Sequence, residues 1–299
     1  MTLPAEQFAT CNGMELCYQE FGPATGEPLL FIMGLGAQMV FWPDELMEDL
    51  AARGYRVIRF DNRDIGRSQR LRCEQKQSAL VSMLRYLARL KVDAGYTLHD
   101  MVDDTIALLD HLSIAKAHLI GASMGGMIAQ LTCATHPERV KSLTSIMSNT
   151  NSPWLPPSKP SAMLALIGPK KIAKTEDEYV AMGRELLGKI GGTLPQGELL
   201  DTMLKASFAR GIHPRGVKQQ FMAILATGDF SGRLKTIRCP TTIIHGAVDP
   251  LLRPAGGRAS ARAIANARLE IIDGMGHDLP PAVLPRIAEL IDATALIRR

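Results

Sequence analysis

Ser123 stands in Gly121-Ala122-Ser123-Met124-Gly125, between the apolar run Ala117 to Ile120 and a further apolar stretch reaching Leu131. The pattern reads as a short strand, a turn open only to small residues, and a helix. The glycines let the backbone reverse without a Cβ clash, so the hydroxyl sits in a strained, exposed turn at a helix N-terminus whose dipole favours a developing oxyanion. Serine is a poor nucleophile at its own pKa. It needs a base within hydrogen-bond reach and an acid to orient that base. Of the seven histidines, His99 and His111 fall on a predicted helix, His118 and His245 inside predicted strands, His136 at a helix end and His213 in a helical stretch. His277, in Gly274-Met275-Gly276-His277-Asp278, follows the last predicted strand and is the candidate base. For the acid, Ser148-Asn149-Thr150-Asn151 has no carboxylate, whereas Gly246-Ala247-Val248-Asp249-Pro250 supplies one directly after the next strand. Asp249 is the expected orienter; its competing reading is a helix N-cap before Pro250. Asp278 is a poorer choice, because a residue rarely points at its neighbour's imidazole.

These side chains need elements to carry them. Met14 to Glu20 alternates apolar and polar residues behind an Asn12-Gly13 turn, which predicts a hairpin. Pro28 to Ile32 and Val57 to Phe60 are apolar runs of the kind covered on both faces, with a helix between them over about 43–53 that Gly54 stops. A basic amphipathic helix is predicted over 78–92, with Leu80, Met83, Leu84, Leu87 and Leu90 as its apolar stripe. It is expected to dock on its own domain near a pocket rim, with contact to a membrane or partner as the other reading. A helix over 98–112 opens with Thr97 as N-cap and Asp100 three residues on. After a strand over 143–147 the rhythm stops until Thr241 to His245, and helical segments interrupted by prolines fill the gap. A helix over 255–265, a strand over 269–272 and a final helix over 281–291 close the chain. Alternating strands and helices imply a mostly parallel sheet with helices on both faces. Ligands on such sheets sit beyond the carboxyl ends of the strands, and Leu35, Asp61, Ser123, Asp249 and His277 all fall just after predicted strands.

The 299 residues are 46% hydrophobic and 21% charged, which suits a folded globular chain and argues against disorder. A net charge of +4 with scattered basic residues makes nucleic acid a poor partner. Cys11, Cys17, Cys73, Cys133 and Cys239 form no CxxC pair, the start lacks a signal-peptide pattern, and the most apolar stretch is glycine-broken. A cytoplasmic protein without stable membrane insertion is expected.

With the order Ser123, Asp249, His277 and the tag Asp61-x-Arg63-x-x-Gly66-x-Ser68, the chain resembles the α/β-hydrolase-fold superfamily over nearly its whole length. The resemblance implies a core of residues 1–148 and 230–299 and an inserted helical cap, or lid, over 149–229. It implies an oxyanion hole from the backbone amides of Leu35 and Met124, no cofactor and no metal. Asp61 and Arg63 are expected to brace their loop. Family members usually carry His-Gly where this chain has Met33-Gly34. With that methionine the chain is similar to a bacterial serine carboxylesterase-like branch that includes general esterases and polyketide methyl esterases. The implied reaction is hydrolysis of small to medium apolar carboxylic esters through an acyl-enzyme. A serine nucleophile argues against epoxide hydrolase and haloalkane dehalogenase chemistry, which needs an aspartate there. Carbon–carbon bond hydrolysis, with Arg63 or Arg210 binding a carboxylate, lactone hydrolysis, peracid formation and a non-catalytic ligand receptor are the other readings. Apolar residues between 149 and 229, among them Met163, Leu164, Met182, Met203, Phe208 and Met222, can line a pocket, with packing inside the cap as the competing reading for any one of them. No sequence feature specifies an oligomeric state.

Overall fold

The structure is a computed structural model that describes residues 3–71, 77–168 and 172–297; Cys73 lies outside them. Asn12 and Gly13, at φ 50° and 71°, turn β1 (Gln7–Cys11) back onto β2 (Met14–Phe21), with Cys11 opposite Met14. Next come β3 (Pro28–Ile32), α1 (Asp44–Ala52), β4 (Arg56–Phe60), α2 (Ala79–Leu87) and α3 (Leu98–His111). The turn with Ser123 lies between β5 (Ala117–Ala122) and α4 (Met124–Thr135), and β6 (Val140–Ile146) follows. Among the described residues four α-helices succeed one another before the sheet resumes: α5 (Pro160–Ile167), α6 (Glu176–Ile190), α7 (Leu199–Ala209) and α8 (Pro214–Thr227). The chain ends with β7 (Thr241–Gly246), α9 (Pro254–Ala263), β8 (Arg268–Ile272) and α10 (Leu284–Ala295).

Among the described residues the sheet has eight strands in the order β1-β2-β4-β3-β5-β6-β7-β8. β2 runs antiparallel to β1 and β4, and the remaining neighbours are parallel. The apolar runs predicted for two-sided burial behave so. In β3, Leu30 and Ile32 pack with α3 and α4 on one face, while Leu29 and Phe31 pack with α1 and α10 on the other, as a period of two requires. Phe31 meets the buried Trp42 edge to face at 5.0 Å. Parallel register brings the C-terminal ends of β3, β5, β6, β7 and β8 to one edge of the sheet, so the loops that follow them share a rim.

Helix ends follow local chemistry. Thr97 and Asp100 form the predicted capping box of α3. Gly54, at φ 92°, ends α1 through bonds from its own N–H to Ala51 and from Tyr55 N–H to Leu50. The helix predicted over 78–92 is shorter than expected. Arg89 takes φ 57°, and Leu90 N–H donates to Arg85 O, so the chain leaves the helix after Leu87 with an arginine in the place glycine usually holds. Its docking is also only partial. Met83 and Tyr86 pack against Phe221 and Leu225 of α8, and Tyr86 OH donates to Asn151 O. Leu80, Leu84, Leu87 and Leu90 remain exposed. No helix among the described residues is long and apolar enough to cross a membrane.

His118, on β5, shares a 2.8 Å hydrogen bond with Ser142 on β6 and is 6% exposed. Burial, helped by Lys141 and opposed by Glu27, lowers its pKa from 6.5 to about 4. The folded chain therefore keeps this imidazole neutral where the unfolded chain takes a proton, so stability falls as pH drops from about 6.5 towards 4. His118→Gln, which keeps a polar partner for Ser142, is expected to lose less of its urea midpoint between pH 7.5 and pH 5 than the parent. Equal losses would remove His118 from the acid response.

Candidate active site

Ser123 adopts φ 54° and ψ −119° between β5 and α4, a conformation that costs a non-glycine residue on the order of 1–3 kcal/mol and persists only under external constraint. Neighbouring glycines supply the constraint by letting backbones touch. A Cβ on Gly121 would lie 2.2 Å from Gly125 O, one on Gly125 would lie 2.0 Å from Ile32 O, and one on Gly126 would lie 2.6 Å from Ser148 Cβ. The strand, the turn, the helix and β3 thus meet without side chains between them. Ser123 N–H donates to Ile146 O at 2.9 Å, and Ser148 Oγ donates to Ser123 O at 2.7 Å, tying the turn to β6.

The three residues singled out in the sequence are brought into one line. Ser123 Oγ lies 2.9 Å from His277 Nε2, and His277 Nδ1 lies 2.8 Å from Asp249 Oδ2. With Nδ1 protonated and donating to the carboxylate, Nε2 keeps the lone pair that accepts from the serine hydroxyl. Asp249 is 1% exposed. Its Oδ1 accepts the N–H groups of Leu251 and Leu252 at 2.8 and 2.9 Å, and His245 Nε2 lies 3.4 Å from Oδ2. Burial disfavours charge on this carboxylate, yet the imidazoles of His277 and His245 outweigh it and hold the group well below the usual carboxylate range. The competing N-cap reading fails, because the next helix starts at Pro254 with Arg253 as its N-cap; Asp249 instead joins the turn of Leu251 and Leu252 to His277.

His277 is carried by a tight loop after β8. Its N–H donates to Ile190 O at the end of α6, and a Cβ on Gly276 would fall 2.3 Å from Gly191 C. Asp278 turns away from the imidazole to accept from the N–H groups of Gly276 and Gly192, both at 2.9 Å, and from the Gln196 side chain. Burial pushes its carboxyl above the ordinary range against the pull of those amides.

Met124 opens α4, so its N–H has no partner within the helix. The loop with Leu35 passes directly beside the serine: a Cβ on Gly34 would sit 3.0 Å from Ser123 Cβ. Met33, where a histidine is usual, is buried, and Asn62 Nδ2 holds its carbonyl at 2.8 Å. Asp61 accepts from Met39 N–H at 2.7 Å and Arg67 N–H at 2.9 Å, while Arg63 grips Asp104 with two 2.6 Å bonds. Arg210 lies against Asp61 and Glu6. Both arginines are thus spent on the chain's own carboxylates, and neither lines the cavity.

That cavity, about 1360 Å³, opens over Ser123, Met124, Leu35 and His277 and is walled by Met163, Leu164, Met182, Met203 and Phe221. Phe208 and Met222 are not in this wall and follow the packing reading instead. Phe208 packs on the Tyr179 ring, and Met222 is wholly buried beneath Val92 and Phe221. Sequence reasoning did not find Asn62, Ser148, His245 or Gln220, which binds the Leu35 loop. Asn62 at least lies inside the Asp61 to Ser68 tag; the others leave no local signal.

The sheet and the serine turn are those of a known class. Residues 27–280 match the alpha/beta hydrolase fold family, and the chain belongs to it. It is 27% identical to a rhodomycin D methylesterase, DnrP, of Streptomyces peucetius over 95% of this chain and 96% of that one. It is 27% identical to a putative carbamate hydrolase, RutD, of Variovorax paradoxus over 88% and 90%. Among solved structures, an enol-lactonase of Burkholderia xenovorans LB400 superposes with a TM-score of 0.70 at 23% identity, covering 96% of this chain and 97% of that one. A meta-cleavage product hydrolase of Pseudomonas fluorescens IP01 does so with a TM-score of 0.73 at 20% identity, covering 96% of each. At those identities the structures share the fold.

Proposed function

We propose that this protein is a serine hydrolase of carboxylic esters with Ser123 as nucleophile, His277 as general base and acid, and Asp249 as orienter. The observation that carries the reading is the unbroken chain of hydrogen bonds Asp249–His277–Ser123, at 2.8 and 2.9 Å, ending on a hydroxyl exposed to an apolar cavity. Ser123 Oγ attacks the ester carbonyl as its proton passes to His277 Nε2. The oxyanion is stabilised by the amides of Met124 and Leu35. Collapse of the tetrahedral intermediate expels the alcohol, which takes the proton from His277. Water, deprotonated by the same imidazole, then releases the acid and restores the serine. Each oxyanion donor contributes about 10²–10³ in rate.

Residues 149–229 form the cap in this reading, on the core of 1–148 and 230–299. Helices α5 to α8 supply most of the apolar wall, which lowers the local dielectric and strengthens the interactions at the oxyanion. The preferred substrates are apolar esters of small to medium size, and relatives named as methylesterases support ester chemistry. Hydrolysis of p-nitrophenyl esters from acetate to palmitate tests it. A cavity of 1360 Å³ is larger than most small-molecule sites, so turnover is expected to extend from acetate through medium acyl chains. No turnover of any ester by folded protein would refute the reading.

A further inference from the structure

The Leu35 loop lies between Met33 and Met39, and its two ends are tied to the loop after β4: Met33 O to Asn62 and Met39 N–H to Asp61. Its middle is tied elsewhere. Gly36 N–H donates at 2.9 Å to Oε1 of Gln220, on α8, and Gln220 Nε2 donates at 2.9 Å to Arg63 O. Gln220 is 0% exposed. Its orientation is dictated by its partners, since a flipped amide would set NH₂ against N–H and oxygen against carbonyl. Val217, one turn earlier on the same face of α8, would lie 3.0 Å from a Cβ on Gly36, and a Cβ on Gly216 would meet Asp64 O at 2.0 Å. The helix is therefore pressed on both loops at once.

Gly34 O accepts from Ala37 N–H at 3.3 Å. In a trans peptide the Leu35 N–H points opposite to Gly34 C=O, out of the turn. The Gly36 bond fixes the following peptide plane. With both planes held, the direction of the Leu35 amide is set. We infer that Gln220 is a positioning residue for the oxyanion hole. It acts through Gly36, so a helix of the 149–229 segment takes part in the chemical step as well as in shaping the cavity. This rests on the ester-hydrolase reading.

The test compares the parent with Gln220→Leu and Gln220→Glu, the latter keeping an oxygen opposite Gly36 N–H. Gln220→Leu is expected to lose about 10–100-fold in kcat, less than the removal of an oxyanion donor, with KM within about twofold because ground-state binding is untouched. Its inhibition constant for a trifluoromethyl ketone, whose hemiketal oxyanion occupies the hole, is expected to rise by the same factor. Gln220→Glu is expected to recover part of the loss through its protonated carboxyl, whose O–H can donate to Arg63 O while the other oxygen accepts from Gly36 N–H, and amides in 33–39 to exchange faster with deuterium in Gln220→Leu than in the parent. A Gln220→Leu enzyme with parental kcat and parental ketone affinity overturns the inference and leaves the ester reading standing. A parent that turns over no ester refutes that reading instead, and unchanged exchange across 33–39 would then overturn the role of Gln220 on its own.

Discussion

Ser123→Ala is expected to lower kcat/KM for p-nitrophenyl esters by about 10⁴–10⁶ with no loss of thermal stability, and Ser123→Ala combined with His277→Ala to be no worse than either alone. The size follows from the loss of the covalent route, because only catalysis by the amides and the cavity remains. Non-additivity follows from the geometry: His277 Nε2 has no proton to take once Oγ is gone, and Oγ has no base once the imidazole is gone. Stability has its own sign. Ser123→Gly is expected to be as inactive as Ser123→Ala and more stable by about 1 kcal/mol, because φ 54° suits glycine. Rates that multiply in the double variant would mean that the two residues act on separate steps.

Gly125→Ala is expected to cost more than about 3 kcal/mol and to fail to fold at 37 °C in a marginally stable background. Alanine is the better helix former by about 1 kcal/mol, so propensity alone predicts the opposite sign. The contacts decide: a Cβ on Gly125 would stand 2.0 Å from Ile32 O, 2.5 Å from Ile32 C and 2.7 Å from Met33 O, all backbone that cannot swing aside. Gly188, inside α6, has nothing within 4 Å of its Cβ position, and Gly188→Ala is expected to stabilise by about 0.5–1 kcal/mol. Urea denaturation of the two variants checks the contrast. A Gly125→Ala protein as stable as the parent would show that α4 does not press on the end of β3 as described.

The elements legible in the sequence are those encoded locally. A five-residue apolar strand, a small-residue turn and a capping box announce themselves within a dozen positions, so β3, β5, the Ser123 turn and the start of α3 were all readable. Gly54 showed where α1 stops because glycine is what that conformation favours. Ser113, at φ 55°, and Arg89, at φ 57°, end α3 and α2 in the same conformation, and neither residue type advertises it. Apart from Ser123, Asp249 and His277, whose order along the chain the family resemblance supplied, contacts across long separations were invisible. Gln219 and Gln220 are polar helix residues with no local signal, and they are 2% and 0% exposed because α8 lies on two loops whose backbone groups need partners. Arg63 and Arg210 looked available for a substrate carboxylate until Asp104, Asp61 and Glu6 were found against them. The leucines of α2 failed in the other direction. Their spacing promised a buried stripe, but the helix offers Met83 and Tyr86 to the interior and leaves Leu80, Leu84 and Leu87 outside.

In the proposed mechanism Ser123 becomes acylated during turnover. Rapid mixing with excess p-nitrophenyl acetate, an acid quench within the first turnovers, and intact-mass analysis with peptide mapping measure this directly. One acetyl group per chain is expected, located on the peptide carrying Gly121 to Gly125, in step with a burst of p-nitrophenol, with no adduct in Ser123→Ala. Ester turnover by the parent with the acetyl group on another residue, or at an undiminished rate in Ser123→Ala, would contradict it.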